Sequence, residues 1–363
     1  MKTVPQYKTL LLLLLVPFLS FSVNSAEKAK HEKRKTISKE YSVNSNATIE
    51  IDNSYGNLDV FTWNENRVVF EITITTSGND AEKVEKKLED INVIFDATSG
   101  KVSAKTVFNN SKSKSWWNWG KNNNVNMKIN YVVKIPVTNN VNLSNDYGSI
   151  NLDRLEGVAV LSCDYGKITT KELMADNNVL KFDYTQNSYF EYIKSGTIQA
   201  DYSAFTVAKA NQLKVAADYT KSKIELVEAI EFNCDYGGMN IEKANQIKGK
   251  GDYLTTLIGD VYKSVELSAD YGSIKINRLN NNASKVLISS DYVGIKIGIA
   301  SDYAFNFEID LEYASLRDAE GFEFSTKNIQ SSSKYYKGYY GNSNSGNTIK
   351  ISSDYGSVSF FRN

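Results

Sequence analysis

Residues 145–150 read Asn145-Asp146-Tyr147-Gly148-Ser149-Ile150, and the Asp-Tyr pair within them recurs through the C-terminal two thirds of the chain. Successive aspartates lie 17 to 21 residues apart, and the phase continues through Glu312-Tyr313 to Ser353-Asp354-Tyr355-Gly356-Ser357-Val358. So regular a period is typical of stacked structural repeats. The repeat residues are Asp146, Tyr147, Asp164, Tyr165, Asp183, Tyr184, Asp201, Tyr202, Asp218, Tyr219, Asp235, Tyr236, Asp252, Tyr253, Asp270, Tyr271, Asp291, Tyr292, Asp354 and Tyr355.

Apolar residues keep a fixed offset from each repeat aspartate. Four and six positions after it stand pairs such as Ile150 and Leu152 or Ile274 and Ile276, a spacing that puts both side chains on one face of a strand. A further column, three positions before each repeat aspartate, is apolar with the single exception of Gly249. That column otherwise reads Leu143, Leu161, Leu180, Ile198, Val215, Phe232, Leu267 and Ile288.

A unit of this size cannot bury its own apolar face, but stacked copies bury one another. We therefore expect an all-β protein whose residues 141–363 form a single-stranded, right-handed β-helix, a β-solenoid with rungs of about 17–21 residues. An antiparallel meander of hairpins is the competing arrangement, since Asp-Tyr-Gly also suits a hairpin turn. In a meander, however, turn chemistry would alternate, whereas here one turn recurs at every full period.

The repeated Asp-Tyr-Gly predicts a corner in which the Asp carboxylate accepts from the backbone N–H two residues on and Gly takes a positive φ. The alternative is a column of oxygen ligands for Ca²⁺, which nearby cations such as Lys167 and Lys275 disfavour. The tyrosines should stack as a ladder that packs the corner, or as a sugar-binding strip if the rings face outward. Cys163 and Cys234 lie four rungs apart, too far for a disulfide, so we expect two buried free thiols.

The first 140 residues lack the period. Residues 1–25 have the basic start, apolar run and small-residue cleavage site of a signal peptide, too short and too interrupted by Pro17 to span a bilayer. Residues 26–40 are charged and suit a flexible tether. Residues 41–140 predict a small β-rich module with one short helix over 80–88, which begins or caps the solenoid. Within it, Ser54-Tyr55-Gly56 matches the repeat.

Two aromatic segments stand outside the repeat. The first contains Trp116, Trp117 and Trp119, and the second contains Tyr335, Tyr336, Tyr339 and Tyr340 before a Gly/Asn/Ser run. We expect the second to be a mobile loop. Either the tryptophan rings fold back over their own module, or they form a contact site for a glycan, a membrane surface or a partner protein, since clustered rings give large contact area. The tyrosines of the second segment are further candidate binding residues for a glycan or an envelope or host surface protein.

The signal peptide, the strand-rich N-terminal region and the Asp-Tyr-Gly rungs together resemble the adhesin-like β-helix families of exported bacterial proteins. The resemblance covers most of the mature chain. It implies a β-helix fold and a place in the periplasm, on the outer surface or outside the cell, with binding as its function. It carries over no catalytic residue, cofactor or metal ligand.

Other functions are disfavoured to different degrees. Basic and acidic residues balance at 42 each, so the chain has no broad basic face for nucleic acid. The one histidine, His31, lies in the predicted tether, which disfavours histidine-dependent catalysis and metal binding. Carboxylate-pair chemistry of a carbohydrate-active β-helix enzyme stays open, as does a structural or signalling accessory role in the envelope. We favour a non-catalytic exported binding scaffold.

Overall fold

The computed structural model describes residues 30–109 and 125–362. These residues are nearly all β, with one short helix and a long, open, mostly parallel sheet, so the fold is solenoid-like. Within the described ranges, that helix has ten residues, and no helix has the length and apolar character needed to cross a bilayer.

The N-terminal region contains seven strands and the expected short helix. Its elements are β1 His31–Ser42, β2 Thr48–Ser54, β3 Leu58–Trp63, β4 Arg67–Gly78, α1 Ala81–Asp90, β5 Ile91–Ala97, β6 Lys101–Phe108 and β7 Val125–Pro136. Helix α1 begins after Asp80, whose carboxylate accepts from the N–H groups of Glu82 and Lys83 at 3.1 and 3.2 Å.

The expected flexible tether is wrong for residues 31–40, because they belong to β1. This strand pairs antiparallel with β4 along its whole length, with Ile37 opposite Ile72. Ile37 and Tyr41 pack against the core, while most of the charged residues between them are exposed. The charged residues here belong to an edge strand, where exposed charges prevent pairing with the strands of other chains. His31 therefore lies in a strand as well.

The middle of the chain forms the predicted stack. Its strands are β8 Asn140–Asp146, β9 Ser149–Leu152, β10 Ala159–Asp164, β11 Lys167–Leu173, β12 Asn178–Asp183, β13 Ser188–Asp201, β14 Ala204–Ala216, β15 Lys221–Asn233, β16 Gly237–Asp252, β17 Leu254–Leu279 and β18 Lys285–Ile299. Neighbouring repeats pair parallel, with Asp164 opposite Asp183 and Asp183 opposite Asp201. The hairpin meander is therefore excluded for this region.

The apolar columns face a continuous interior. Leu143, Leu161, Leu180 and Ile198 are register neighbours and fully buried. Gly249 breaks the column for a packing reason: a Cβ there would lie 2.1 Å from the ring of Phe232, its register neighbour in the preceding rung. The phenylalanine ring fills the space that the missing side chain leaves.

The C-terminal end departs from simple stacking. Its strands are β19 Phe305–Glu312, β20 Ser315–Arg317, β21 Phe322–Ile329, β22 Ser333–Tyr340, β23 Thr348–Asp354 and β24 Ser357–Arg362. Asp354 pairs with Asp291 on one side and with Glu312 on the other. The predicted phase of the repeat is right, but in space the last segment of the chain lies between two rungs that come before it in the sequence.

The expected mobile loop at Tyr335–Tyr340 is wrong as well. These residues belong to β22, which pairs antiparallel with β19 and with β21. Tyr336 is buried whereas its neighbour Lys337 is exposed, the alternation of a strand that covers the end of the core. The N-terminal end is rearranged in the same way, since β2 lies between β6 and β8.

Candidate functional site

The most regular surface feature is a column of twelve stacked tyrosine rings, here called the tyrosine ladder. Adjacent ring centroids lie 4.7–5.2 Å apart and adjacent planes differ by 2–6°. The ladder thus crosses both ends of the solenoid without a break. In spatial order it contains Tyr55, Tyr147, Tyr165, Tyr184, Tyr202, Tyr219, Tyr236, Tyr253, Tyr271, Tyr292, Tyr355 and Tyr313.

The ladder tyrosines themselves turn the corner. All twelve have φ between 49° and 65°, in the left-handed region that non-glycine residues seldom occupy. The backbone N–H of most ladder tyrosines donates to the carbonyl of the next rung's aspartate, as from Tyr236 to Asp252 at 3.0 Å. This corrects the expectation that Gly supplies the positive φ. Gly166 is required for space instead, since a Cβ there would lie 1.8 Å from the carbonyl oxygen of Gly148.

The repeat aspartates link one rung to the next. In five consecutive rungs the Oδ1 atom accepts from the backbone N–H of the following rung's aspartate, at 2.8–3.2 Å, and not from a group two residues on. Burial and the charges of neighbouring aspartates raise the pKa of Asp146 and Asp252. Among the described residues, no three His, Cys, Asp or Glu side chains converge on a possible metal position.

The ladder presents ring edges and hydroxyl groups to solvent. From Tyr147 to Tyr313 its residues are 44–59% exposed, but both faces of every ring between the two ends are covered by the adjacent rings. A sugar therefore cannot stack on faces along the ladder; it can meet edges and hydroxyls. Burial, followed by the neighbouring tyrosines, raises the pKa of Tyr236 and Tyr271 above the ordinary tyrosine value. Tyrosine hydroxyls are protonated at neutral pH in any case, so they can donate as well as accept.

A depression lies beside the ladder where the sequence has Gly237-Gly238. Its volume is about 580 Å³, and it is bordered by the rings of Tyr219 and Tyr236 and by Lys221 and Leu257. Gly238 lies between Lys221 and Thr255 in register, so the missing side chain opens the outer face at this rung. The ladder is thus flanked by small residues at this point.

The two cysteines lie inside the solenoid. Both thiols are free and buried, as the rung spacing predicts. The Sγ atom of Cys163 donates to the carbonyl of Gly148 at 3.3 Å. Burial raises the pKa of each thiol to about 12, so neither is the thiolate that nucleophilic chemistry needs.

The aromatic segments predicted from the sequence do not join the ladder. Trp116, Trp117 and Trp119 lie outside the described residues. Tyr336 is buried, and Tyr340 packs on the ring of Phe305 at 5.5 Å. Tyr335 is half-buried and donates to Glu308 at 3.3 Å, and Tyr339 is also half-buried. The sequence analysis named Lys275 only as a cation that disfavours a Ca²⁺ site, and it did not place that lysine in a column with Lys296 and Arg317, because only the apolar positions of the aligned repeats were compared.

Comparison with known proteins gives no family model that matches this chain. No curated protein matches it either. Among solved structures, a “putative cell adhesion protein” from Clostridium sporogenes is 12% identical, with a TM-score of 0.19, over 91% of this chain and 100% of that one. A “putative adhesin” from Bacteroides fragilis is 12% identical, with a TM-score of 0.26, over 90% and 97%. A “putative lipid binding protein” from Parabacteroides distasonis is 10% identical, with a TM-score of 0.28, over 90% and 96%.

Proposed function

We propose that this chain is an exported, non-catalytic protein of the cell surface or envelope that presents a right-handed, single-stranded β-helix as an adhesin-type binding scaffold. The observation that carries the proposal is the tyrosine ladder. Its rings are fixed by their neighbours and about half exposed, so they offer contact area and hydroxyl groups without further ordering on binding.

A glycan is the partner class that this surface suits. Phenolic hydroxyls both donate and accept hydrogen bonds, as sugar hydroxyls do. They recur once per rung along the column, so a linear polymer can meet several of them at once. Many weak contacts of this kind add up through effective concentration.

The test is binding of the exported, processed protein to a glycan array and to intact cells. A Tyr202→Phe, Tyr219→Phe, Tyr236→Phe variant keeps the stacked rings and removes three hydroxyls, and we expect it to bind more weakly. The matched control is Tyr262→Phe, away from the ladder. A folded wild-type protein that binds neither glycans nor cells would contradict the proposal. Protease added to intact cells tests the surface location.

The aromatic segments remain a second proposed contact site. A Trp116→Ala, Trp117→Ala, Trp119→Ala variant should bind cells or glycans more weakly if the tryptophan rings make contact. Tyr335 and Tyr339 are the half-buried members of the other segment to test in the same way, since Tyr336 is buried. Unchanged binding by the folded variants would remove these segments from the site.

A further inference from the structure

Two columns of residues run beside the last four rings of the tyrosine ladder, and the strip of surface between the rings and the second column is here called the C-terminal trough. Its near wall is formed by Tyr271, Tyr292, Tyr355 and Tyr313, in spatial order. Two residues beyond each ring lies a small residue, and these form the floor: Ser273, Gly294, Ser357 and Ser315. A Cβ on Gly294 would meet no atom within 4 Å, so the floor opens to solvent there.

The far wall of the trough is cationic. In register order it contains Lys275, Lys296, Ser359 and Arg317, two residues beyond the floor in each rung. Lys275, Lys296 and Arg317 are exposed. At a strand spacing of about 4.8 Å, the three cations span about 14 Å along the solenoid.

These three cations have no acidic partner within ion-pair distance among the residues that the structure describes. Lys275 and Lys296 are directly opposite each other on adjacent strands, where like charges destabilise a sheet. Lys223 occupies the same column farther along the solenoid and is different, since it pairs with Glu225 at 3.0 Å and with Glu242 at 2.9 Å. The trough therefore places these three cations, unpaired among the described residues, beside a row of hydroxyls, with the carboxylate column on the other side of the rings in each rung's sequence.

We infer that the C-terminal trough binds a linear acidic polysaccharide, with its carboxylates against Lys275, Lys296 and Arg317 and its hydroxyls against the tyrosine and serine hydroxyls. This deepens the proposed function and rests on it. Charge complementarity selects an acidic polymer over a neutral one. The recurrence of a tyrosine ring and a small residue at every rung selects a linear polymer over a compact ligand.

Nucleic acid is the other linear polyanion, and the observations favour a glycan over it. A phosphate backbone carries a dense line of charge, and proteins that bind it present many cations. The trough presents three, on a protein whose basic and acidic residues balance at 42 each. Its remaining groups are hydroxyls, which match a polymer with many hydroxyls and fewer charges.

The test is affinity for three probes: polygalacturonate, a neutral β-glucan and single-stranded DNA. We expect the wild-type protein to bind polygalacturonate best. A Lys275→Gln, Lys296→Gln, Arg317→Gln variant should bind it about ten-fold more weakly, the summed effect of three exposed charge contacts. Lys223→Gln is the matched control and should change affinity little, because Glu225 and Glu242 already neutralise that lysine.

Several outcomes would overturn the inference. If the triple variant keeps full affinity, or if Lys223→Gln loses as much, the trough is not the site. If DNA binds as tightly as polygalacturonate, the ligand class is wrong. Binding of the neutral glucan alone would overturn the acidic ligand and leave the proposed function standing, whereas failure to bind any glycan or cell surface would remove both.

Discussion

The middle of the solenoid and its C-terminal end use the same repeat differently. From Asp164 to Asp291 the order of rungs along the chain is their order in space. At the end, β23 and β24 lie between β18 on one side and β19 and β20 on the other, although they follow both in sequence. A repeat phase therefore fixes which residues share a column but not which rung lies next to which.

The reason for the difference lies in what each region must cover. A middle rung has a neighbour above and below, so its backbone groups and apolar side chains are satisfied by the stack. An end rung exposes one edge. Here the chain passes outward, forms β19, β20, β21 and β22, and returns to form an inner rung. The antiparallel strands thereby cover the end of the core, with Phe322 and Tyr336 buried.

The largest expected effect is from truncation after Asn347, which removes β23 and β24. Because these strands lie inside the stack, their loss should leave β18 paired only with β17 and β19 paired only with β22, and should expose Ile295 and Phe305, which are now buried. We expect β18 and β19 to lose protection from hydrogen exchange while β13 and β14 keep most of theirs, since coupling in a solenoid is between nearest neighbours.

Truncation also distinguishes the two possible orders at this end. If the last segment were simply the outermost rung, its removal would fray one edge and leave the exchange of β18 unchanged. Equal protection of β18 in the truncated and full chains would therefore contradict the insertion.

The second prediction concerns Gly249, the exception in the column three positions before each repeat aspartate. Gly249→Leu restores the residue type that the repeat favours, yet its side chain would enter the space of the Phe232 ring. We expect a loss of about 1–3 kcal/mol of unfolding free energy from overpacking, measured by urea denaturation. Adding Phe232→Ala should recover part of the loss. A stabilised single variant would show that the consensus residue fits after all.

What the sequence could predict follows from this contrast. The apolar columns, the stacked tyrosines and the free thiols all depend on phase, so a fixed period is enough to find them. The sequence could not show that the rung of Asp354 lies between those of Asp291 and Glu312, because Glu312 and Asp354 have the same phase in the repeat. β1 and β22 were missed because a cluster of charges is as typical of an exposed strand as of a tether, and a cluster of aromatic residues is as typical of a strand as of a loop.

The candidate site was predicted in part. The ladder was expected, but the hydrogen bonds of its aspartates and the positive φ of its tyrosines were assigned to the wrong groups. Both errors come from treating the turn as a local motif. In a stack, the next rung is close enough for its N–H to reach the Asp183 carboxylate, at 3.0 Å from Asp201. Contacts between rungs therefore replace the local contacts of an isolated turn.

The third prediction compares an interior ring with the terminal ring of the ladder. Tyr236 stacks on Tyr219 and Tyr253, whereas Tyr313 stacks on Tyr355 alone among the ladder rings. With about 0.5–1.5 kcal/mol for each aromatic pair, Tyr236→Ala should destabilise the protein by about twice as much as Tyr313→Ala. Thermal and urea unfolding of the two variants measure the difference. Equal losses would mean that burial at the corner, and not stacking, stabilises the ladder.

The smallest effect is expected from Asp252→Asn, which keeps an oxygen acceptor and removes one charge from a column of carboxylates. Because burial and then Asp235 and Asp270 raise the pKa of Asp252, the folded state favours its protonated form. The stabilisation that comes from protonating Asp252 is therefore complete below the ordinary aspartate pKa. It is lost as the pH rises through the higher folded-state pKa. The variant should be slightly more stable than wild type at pH 7, and this advantage should disappear in acid.

Asp176→Asn is the control for that charge effect, because Asp176 pairs with Lys194 at 3.0 Å and lies outside the column. Neutralising it should bring no gain at pH 7. If both variants gain equal stability, the cause is not repulsion within the column. If Asp252→Asn loses stability, the hydrogen bond that the full carboxylate accepts from the next rung's N–H outweighs that repulsion. In the second case the aspartates hold the middle rungs together by charge-assisted hydrogen bonds.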